Sequence, residues 1–183
     1  MTRVPLVPAE PPDEITAEVF EVFRREGRDP IVLYRALANA PRMLRAYSTL
    51  ARGLRYEAET PRDLRELSIL RTAQLVGSEY EWTHHRVMAD KAGVPAEKVA
   101  ALAAWRDSEL FDQRERAVLQ ATEEIHGIAL SGDAFTELER SLGREEAIEI
   151  VLLAAFYQSV ARIIQGLGLE VEPEYAPYLD GLR

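Results

Sequence analysis

No cysteine occurs in the 183 residues. That excludes disulfides, thiolate metal sites and any thiol nucleophile. Lysine is scarce: Lys91 and Lys98 stand alone, and arginine supplies the rest of the 22 positive charges. A net charge of -9 leaves no positive excess. It argues against a nucleic-acid partner, which would require a basic face to displace counterions from phosphates, and against an anionic membrane surface. Long apolar runs are also missing. The longest, residues 150–157, is eight residues, whereas a spanning helix needs about 20. The leading MTRVPLVPAEPPDE has no apolar core of signal-peptide length. These absences predict a soluble, cytoplasmic protein with neither nucleic acid nor membrane as partner.

What is present points to a globular, helical chain. An apolar share of 47% is ordinary for a folded protein and too high for a disordered one. The length suits one domain with terminal arms. Pro5, Pro8, Pro11 and Pro12 hold residues 1–12 as an extended arm. Ile15, Val19, Val22 and Phe23 then recur at helical spacing over 13–26, before Gly27. A short helix over 30–39 stops before Pro41, and Met43, Leu44, Tyr47, Leu50 and Leu54 mark a third. Thr60 and Pro61 form a start signal, an N-cap followed by proline at the first helical position. The helix they open runs to Gly77. Further helices are predicted over 78–92, 95–105 and 112–129, then a short one ending at Gly143 and a long one over 144–167. Prolines break the tail, so 171–183 reads as a second arm and 13–170 as one domain. Nothing alternates with period two, so the fold class is all-α.

The fourth and fifth helices carry the unusual chemistry. Glu66 shares a helix face with Ile69, Leu70 and Ala73, while Arg65, Ser68 and Thr72 form the polar side. A carboxylate on an apolar face needs a partner or its pKa rises, which makes it a candidate acid or base. On the next helix Ser78, Glu81 and His85 form one row, continued by Met88, Ala89 and Ala92. Tyr80 and Trp82 flank that row, and His84 lies about 100° away. Spacing leaves a blander reading open: a glutamate paired with a buried arginine such as Arg71, and a core histidine beside a tryptophan.

At these residues the chain resembles the carboxymuconolactone decarboxylase family, which includes the alkyl hydroperoxidase D proteins. The stretch ELSILRTAQLVGSEYEWTHHRVMADKAGVPAEKVAAL, residues 66–102, carries the likeness. The peroxidase branch has a glutamate, eleven residues, Cys-x-x-Cys, three residues and a histidine, and here Glu66, Ser78, Glu81 and His85 keep that register without a gap. Ser78 and Glu81 stand where the two cysteines would. The closing stretch GREEAIEIVLLAAFYQSVARIIQGLGLEVEP is similar to the family's last helix. The resemblance implies a compact multi-helix domain of the alkyl hydroperoxidase D-like type, with Glu66 and His85 as a proton-handling pair. Thiol peroxidase chemistry is disfavoured, because neither a serine nor a glutamate can be oxidised as a thiol is.

The expectation is therefore cofactor-free acid–base chemistry, of lyase or isomerase type, on a small carbonyl or lactone acid. Glu66, Glu81 and His85 are the expected catalytic residues, with Glu81 near enough to hydrogen-bond His85. Ser78, Tyr80, Trp82 and His84 are expected to bind substrate, with no metal. Two other readings stand beside this one. The same fold could serve as a non-catalytic small-molecule-binding oligomer. Alternatively, Glu81-x-x-His84, Glu123-x-x-His126 and Glu66 could hold a metal, by the i, i+3 pairing of di-iron bundles; His126 could equally be a cation at a helix C-terminus. The last helix is apolar on nearly every side, which suits either the core or a subunit interface. With the resemblance, this leads to an expected homo-oligomer. Tyr157 and Arg162 interrupt that helix within possible reach of the site.

Overall fold

The structure, a computed structural model, describes residues 2–182. Among these the chain forms nine α-helices and no strand: α1 (Glu14–Arg25), α2 (Val32–Leu37), α3 (Pro41–Arg52), α4 (Arg62–Val76), α5 (Glu79–Lys91), α6 (Ala96–Ala101), α7 (Gln113–His126), α8 (Gly132–Leu142) and α9 (Arg144–Leu167). The all-α class follows. Local caps start several of them. Asp13, Ser78 and Ser131 accept from backbone N–H groups three residues on, and Asp112 with Glu115 makes a reciprocal capping box.

The chain packs around α4, which lies against α5, α7 and α9. The side carrying Arg65, Ser68 and Thr72 is buried too: α7 meets it at Ser68, and Arg65 turns to the Leu54 carbonyl. The Ser68 and Thr122 hydroxyls lie 2.8 Å apart, and Thr72 donates back to the Ser68 carbonyl at 2.9 Å. The polar face of α4 is thus an internal seam rather than a solvated surface. Gly77, at φ 67° and ψ 36°, caps α4 in the left-handed region and reverses the chain straight into α5.

Several boundaries differ from the sequence expectation. α3 runs on into a π-helical turn, Gly53–Glu57, and the sixth stretch tightens into a 3₁₀ turn over Leu102–Asp107, where Ala104 leaves helical geometry. α7 stops at His126 rather than 129, in a Schellman arrangement. Ile128 donates to the Ile125 carbonyl and Ala129 to that of Glu124. Ile128, not a glycine, takes the left-handed position at φ 74°.

Both arms are docked. Val7 and Arg35 exchange backbone and side-chain hydrogen bonds at 3.1 and 2.8 Å. The tail forms a 3₁₀ turn, Pro173–Tyr178, against α5. α9 is long and apolar enough to cross a membrane by length and composition, which the eight-residue run did not reveal, yet 56% of its most apolar stretch is buried in the protein.

Candidate active site

Glu66 points inward from the centre of α4 and is fully buried. Its Oε2 accepts from His85 Nδ1 on α5 at 2.7 Å, and its Oε1 pairs with the Arg62 guanidinium, one turn back, at 2.5 Å. The cation that satisfies Glu66 is therefore Arg62, not Arg71, which pairs with Glu123. Burial alone would raise the Glu66 carboxyl, but His85 and Arg62 outweigh it and hold the group below the usual carboxylate range. Burial also holds His85 below the ordinary imidazole value, against the pull of Glu66. The resulting pair is a carboxylate accepting Nδ1–H from a neutral imidazole, which leaves Nε2 as the basic atom. No hydrogen bond occupies Nε2 among the described residues. The edge of Tyr157 fixes the ring, with centroids 4.9 Å apart.

Glu81 is the anomaly. It is 3% exposed, and neither carboxyl oxygen makes a hydrogen bond of ordinary geometry among the described residues. Its expected hydrogen bond to His85 is absent among the described residues: Glu66 takes the imidazole's Nδ1, and Nε2 is not bonded to Glu81. Burial pushes the Glu81 carboxyl up to about 8, against an opposing pull from the Ser78 hydroxyl. At neutral pH it is a carboxylic acid, able to donate.

Glu81 and His85 line the same cavity of about 40 Å³, room for about three waters. Tyr34, Tyr47, Arg55 and Tyr157 share that wall with apolar residues such as Leu33, Phe156 and Val160. Burial raises the Tyr47 and Tyr157 phenols, so both stay neutral. Arg55 reaches the cavity from the π-helical turn and donates to the Tyr34 hydroxyl at 2.8 Å.

The residues expected to bind substrate separate. Tyr80 and His84 line the cavity, but their polar atoms are engaged by the tail. Glu172 accepts from His84 Nε2 at 2.8 Å, from the Tyr80 hydroxyl at 2.9 Å and from the Val32 amide at 2.8 Å. The His84 ring is stacked between Tyr80 and Tyr175, at 4.4 and 3.8 Å. Ser78 lies outside the cavity as the N-cap of α5. Trp82 faces another core and donates to the Asp180 carbonyl at 3.2 Å. Arg162 is exposed. Glu123 is saturated by Arg71, Trp105 and Arg106, so it does not join Glu81 in a metal-binding set. Among the described residues no three His, Asp or Glu side chains gather as metal ligands.

Sequence reasoning passed over Arg62, Arg55, Tyr34 and Tyr47. Arg62 had a signal, its i, i+4 spacing to Glu66. The other three come from helices remote in sequence and had none.

The sequence profile of the carboxymuconolactone decarboxylase family matches residues 41–124, which contain Glu66, Glu81 and His85. Over this segment the chain is similar to the carboxymuconolactone decarboxylase family. Solved structures share the fold over the whole chain. The debrominase Bmp8, as a cysteine-to-alanine variant in complex with 2,3,4-tribromopyrrole, is 22% identical with a TM-score of 0.83, covering 100% of this chain and 98% of that one. An alkylhydroperoxidase AhpD core protein from Ralstonia eutropha JMP134 is 20% identical, TM-score 0.80, covering 100% and 97%. A peroxidase-related protein from Silicibacter sp. TM1040 is 16% identical, TM-score 0.80, covering 100% and 96%. At these identities the likeness establishes the alkyl hydroperoxidase D-like fold. No curated protein matches the chain significantly.

Proposed function

We propose that this carboxymuconolactone decarboxylase-like protein performs cofactor-free acid–base chemistry, of lyase or isomerase type, on a small carbonyl or lactone acid. The observation that carries this reading is that two uncharged groups in one cavity have opposite proton-transfer capacity: His85 with Nε2 free to accept, and Glu81, pushed up by burial, with a proton to donate. Paired groups whose environments push their pKa values apart serve as base and acid.

His85 Nε2 takes a proton from the carbon beside the substrate carbonyl. The electron pair moves onto the carbonyl oxygen, and Glu81 donates its proton or a hydrogen bond to that oxygen. Collapse of the enol returns a proton to carbon or expels a leaving group. Glu66 keeps the imidazole in the Nδ1–H tautomer and stabilises the imidazolium that forms. Arg55 and the neutral tyrosines supply fixed dipoles near the developing charge. The enclosed volume limits the reacting part of the substrate to a few atoms unless the wall yields.

The test is deuterium uptake from D₂O beside the carbonyl of small lactone acids and keto acids, followed by NMR. The wild type is expected to exchange at least one of them, and His85→Ala to lose roughly 10²–10⁴-fold in rate. Saturable binding without exchange or conversion in any compound would favour a non-catalytic binding protein.

We also propose that copies of the chain associate through α9. Ile148 and Leu152 are 48% and 52% exposed, one turn apart, on a helix whose opposite face forms the core.

A further inference from the structure

A second cavity, of about 420 Å³, adjoins the first and is lined by Arg55, Tyr56, Arg62, Arg65, Met88 and Lys91 among others. Four of these are cations and none is an acid, in a chain of net charge -9. Among the described residues only Arg62 of these has a carboxylate partner, Glu66. Arg55 donates to the Ala51 carbonyl and the Tyr34 hydroxyl, and Arg65 Nη1 to the Leu54 carbonyl, all neutral acceptors. Lys91 makes no ion pair among the described residues. Arg65 is 8% exposed, and its Nε is buried with no partner. Burial and the charge of Arg62 both lower the Arg65 guanidinium, with Glu149 and Glu66 pulling the other way. Glu149 is already occupied by the Thr60 hydroxyl and the Thr60 and Glu59 amides. The cavity is thus a concentration of positive charge with free donors, and among the described residues Glu66, behind Arg62, is the carboxylate paired with it.

We propose that this outer cavity binds the carboxylate of the substrate, whose apolar body passes between Arg55 and Met88 toward His85 and Glu81. Arg55 and Met88 line both cavities, so these two side chains stand between an anion held outside and the reaction chamber. Planar guanidinium forks match a carboxylate in a way a point charge does not. The ring of Tyr56, 57% exposed and 5.5 Å from the Arg55 guanidinium, offers the body a flat apolar surface. An anion there also offsets the repulsion between Arg62 and Arg65. The assignment rests on the acid–base reading for the inner cavity only; the anion site stands on the cations themselves.

The test is calorimetric titration with benzoate and its uncharged analogue benzamide, on the wild type and on Lys91→Gln and Arg65→Gln. Benzoate is expected to bind at least about tenfold more tightly than benzamide, as charge-assisted hydrogen bonds imply. Lys91→Gln, an exposed change that leaves the fold intact, is expected to weaken benzoate by about fivefold. Arg65→Gln should cost about tenfold or more, and neither change should move benzamide. The preference should shrink at high salt. Equal binding of the two compounds, or benzoate binding unmoved by Lys91→Gln, would overturn the proposal. If benzoate behaves as expected while no compound exchanges deuterium, the acid–base reading fails and the anion site survives.

Discussion

Glu81 and His85 differ in role because each is denied solvent in a different company. His85 has a carboxylate on one nitrogen; Glu81 has no hydrogen bond of ordinary geometry on either oxygen among the described residues. The difference has a signature in stability. The Glu81 carboxyl titrates near its ordinary value, 4.5, when unfolded and near about 8 when folded. Between those values the folded state holds a proton that the unfolded state has lost, so stability falls as pH rises, by about 1.4 kcal/mol per pH unit. Glu81→Gln removes that contribution. Urea unfolding of the variant relative to wild type should therefore show a gain that grows from pH 5 to pH 8; parallel pH profiles would show that Glu81 is not protonated in the cavity. Glu66→Gln keeps the shape but leaves Arg62 without its counter-charge. A loss of about 1.5–3 kcal/mol is expected in the same assay, with slower deuterium exchange because the imidazole tautomer is no longer fixed.

At the level of elements, strain and docking make separate predictions. Ile128 occupies the left-handed position that ends α7, where a β-branched residue is costly, and it is 89% exposed. Ile128→Gly should raise stability by about 1 kcal/mol, read as a higher Tm. The tail is held chiefly by Glu172, which receives three donors from α5 and the start of α2. In Glu172→Ala the Val32 amide should exchange faster with D₂O, and the tail should be clipped sooner by protease. An unchanged Val32 amide would mean that the ring stacking of Tyr175 holds the tail without the carboxylate.

For the molecule as a whole, the exposed face of α9 sets the expected assembly. A charge placed there should be incompatible with burial against a second copy. Leu152→Glu is expected to lower the mass measured by light scattering to that of the 20.6 kDa monomer without changing the helical circular dichroism. A wild type that is itself monomeric would end the proposal.

Much of this was legible in the chain. Helix boundaries were set by local chemistry at Gly77 after α4 and at the Asp112–Glu115 box before α7. Such signals act within one turn and need no partner. Thr60, expected as the α4 N-cap, instead donates to Glu149 on α9, and Pro61 takes the cap position without a side-chain hydrogen bond. The Glu66–His85 pair could be read from spacing and register, because consecutive antiparallel helices leave few other ways to bury both groups. Other features waited for the tertiary structure. The Schellman turn at Ile128 is set by backbone that a glycine one residue earlier only approximates. Whether Trp82 or Tyr80 faces the cavity depends on how α5 is rotated against α9 and the tail. The outer cavity gathers Arg55 from the π-helical turn and Arg62 from the start of α4 with Lys91 from the far end of α5. Sequence determined which groups must find partners; packing decided that Glu81 finds none, because burial energy is a property of neighbours brought together from distant parts of the chain.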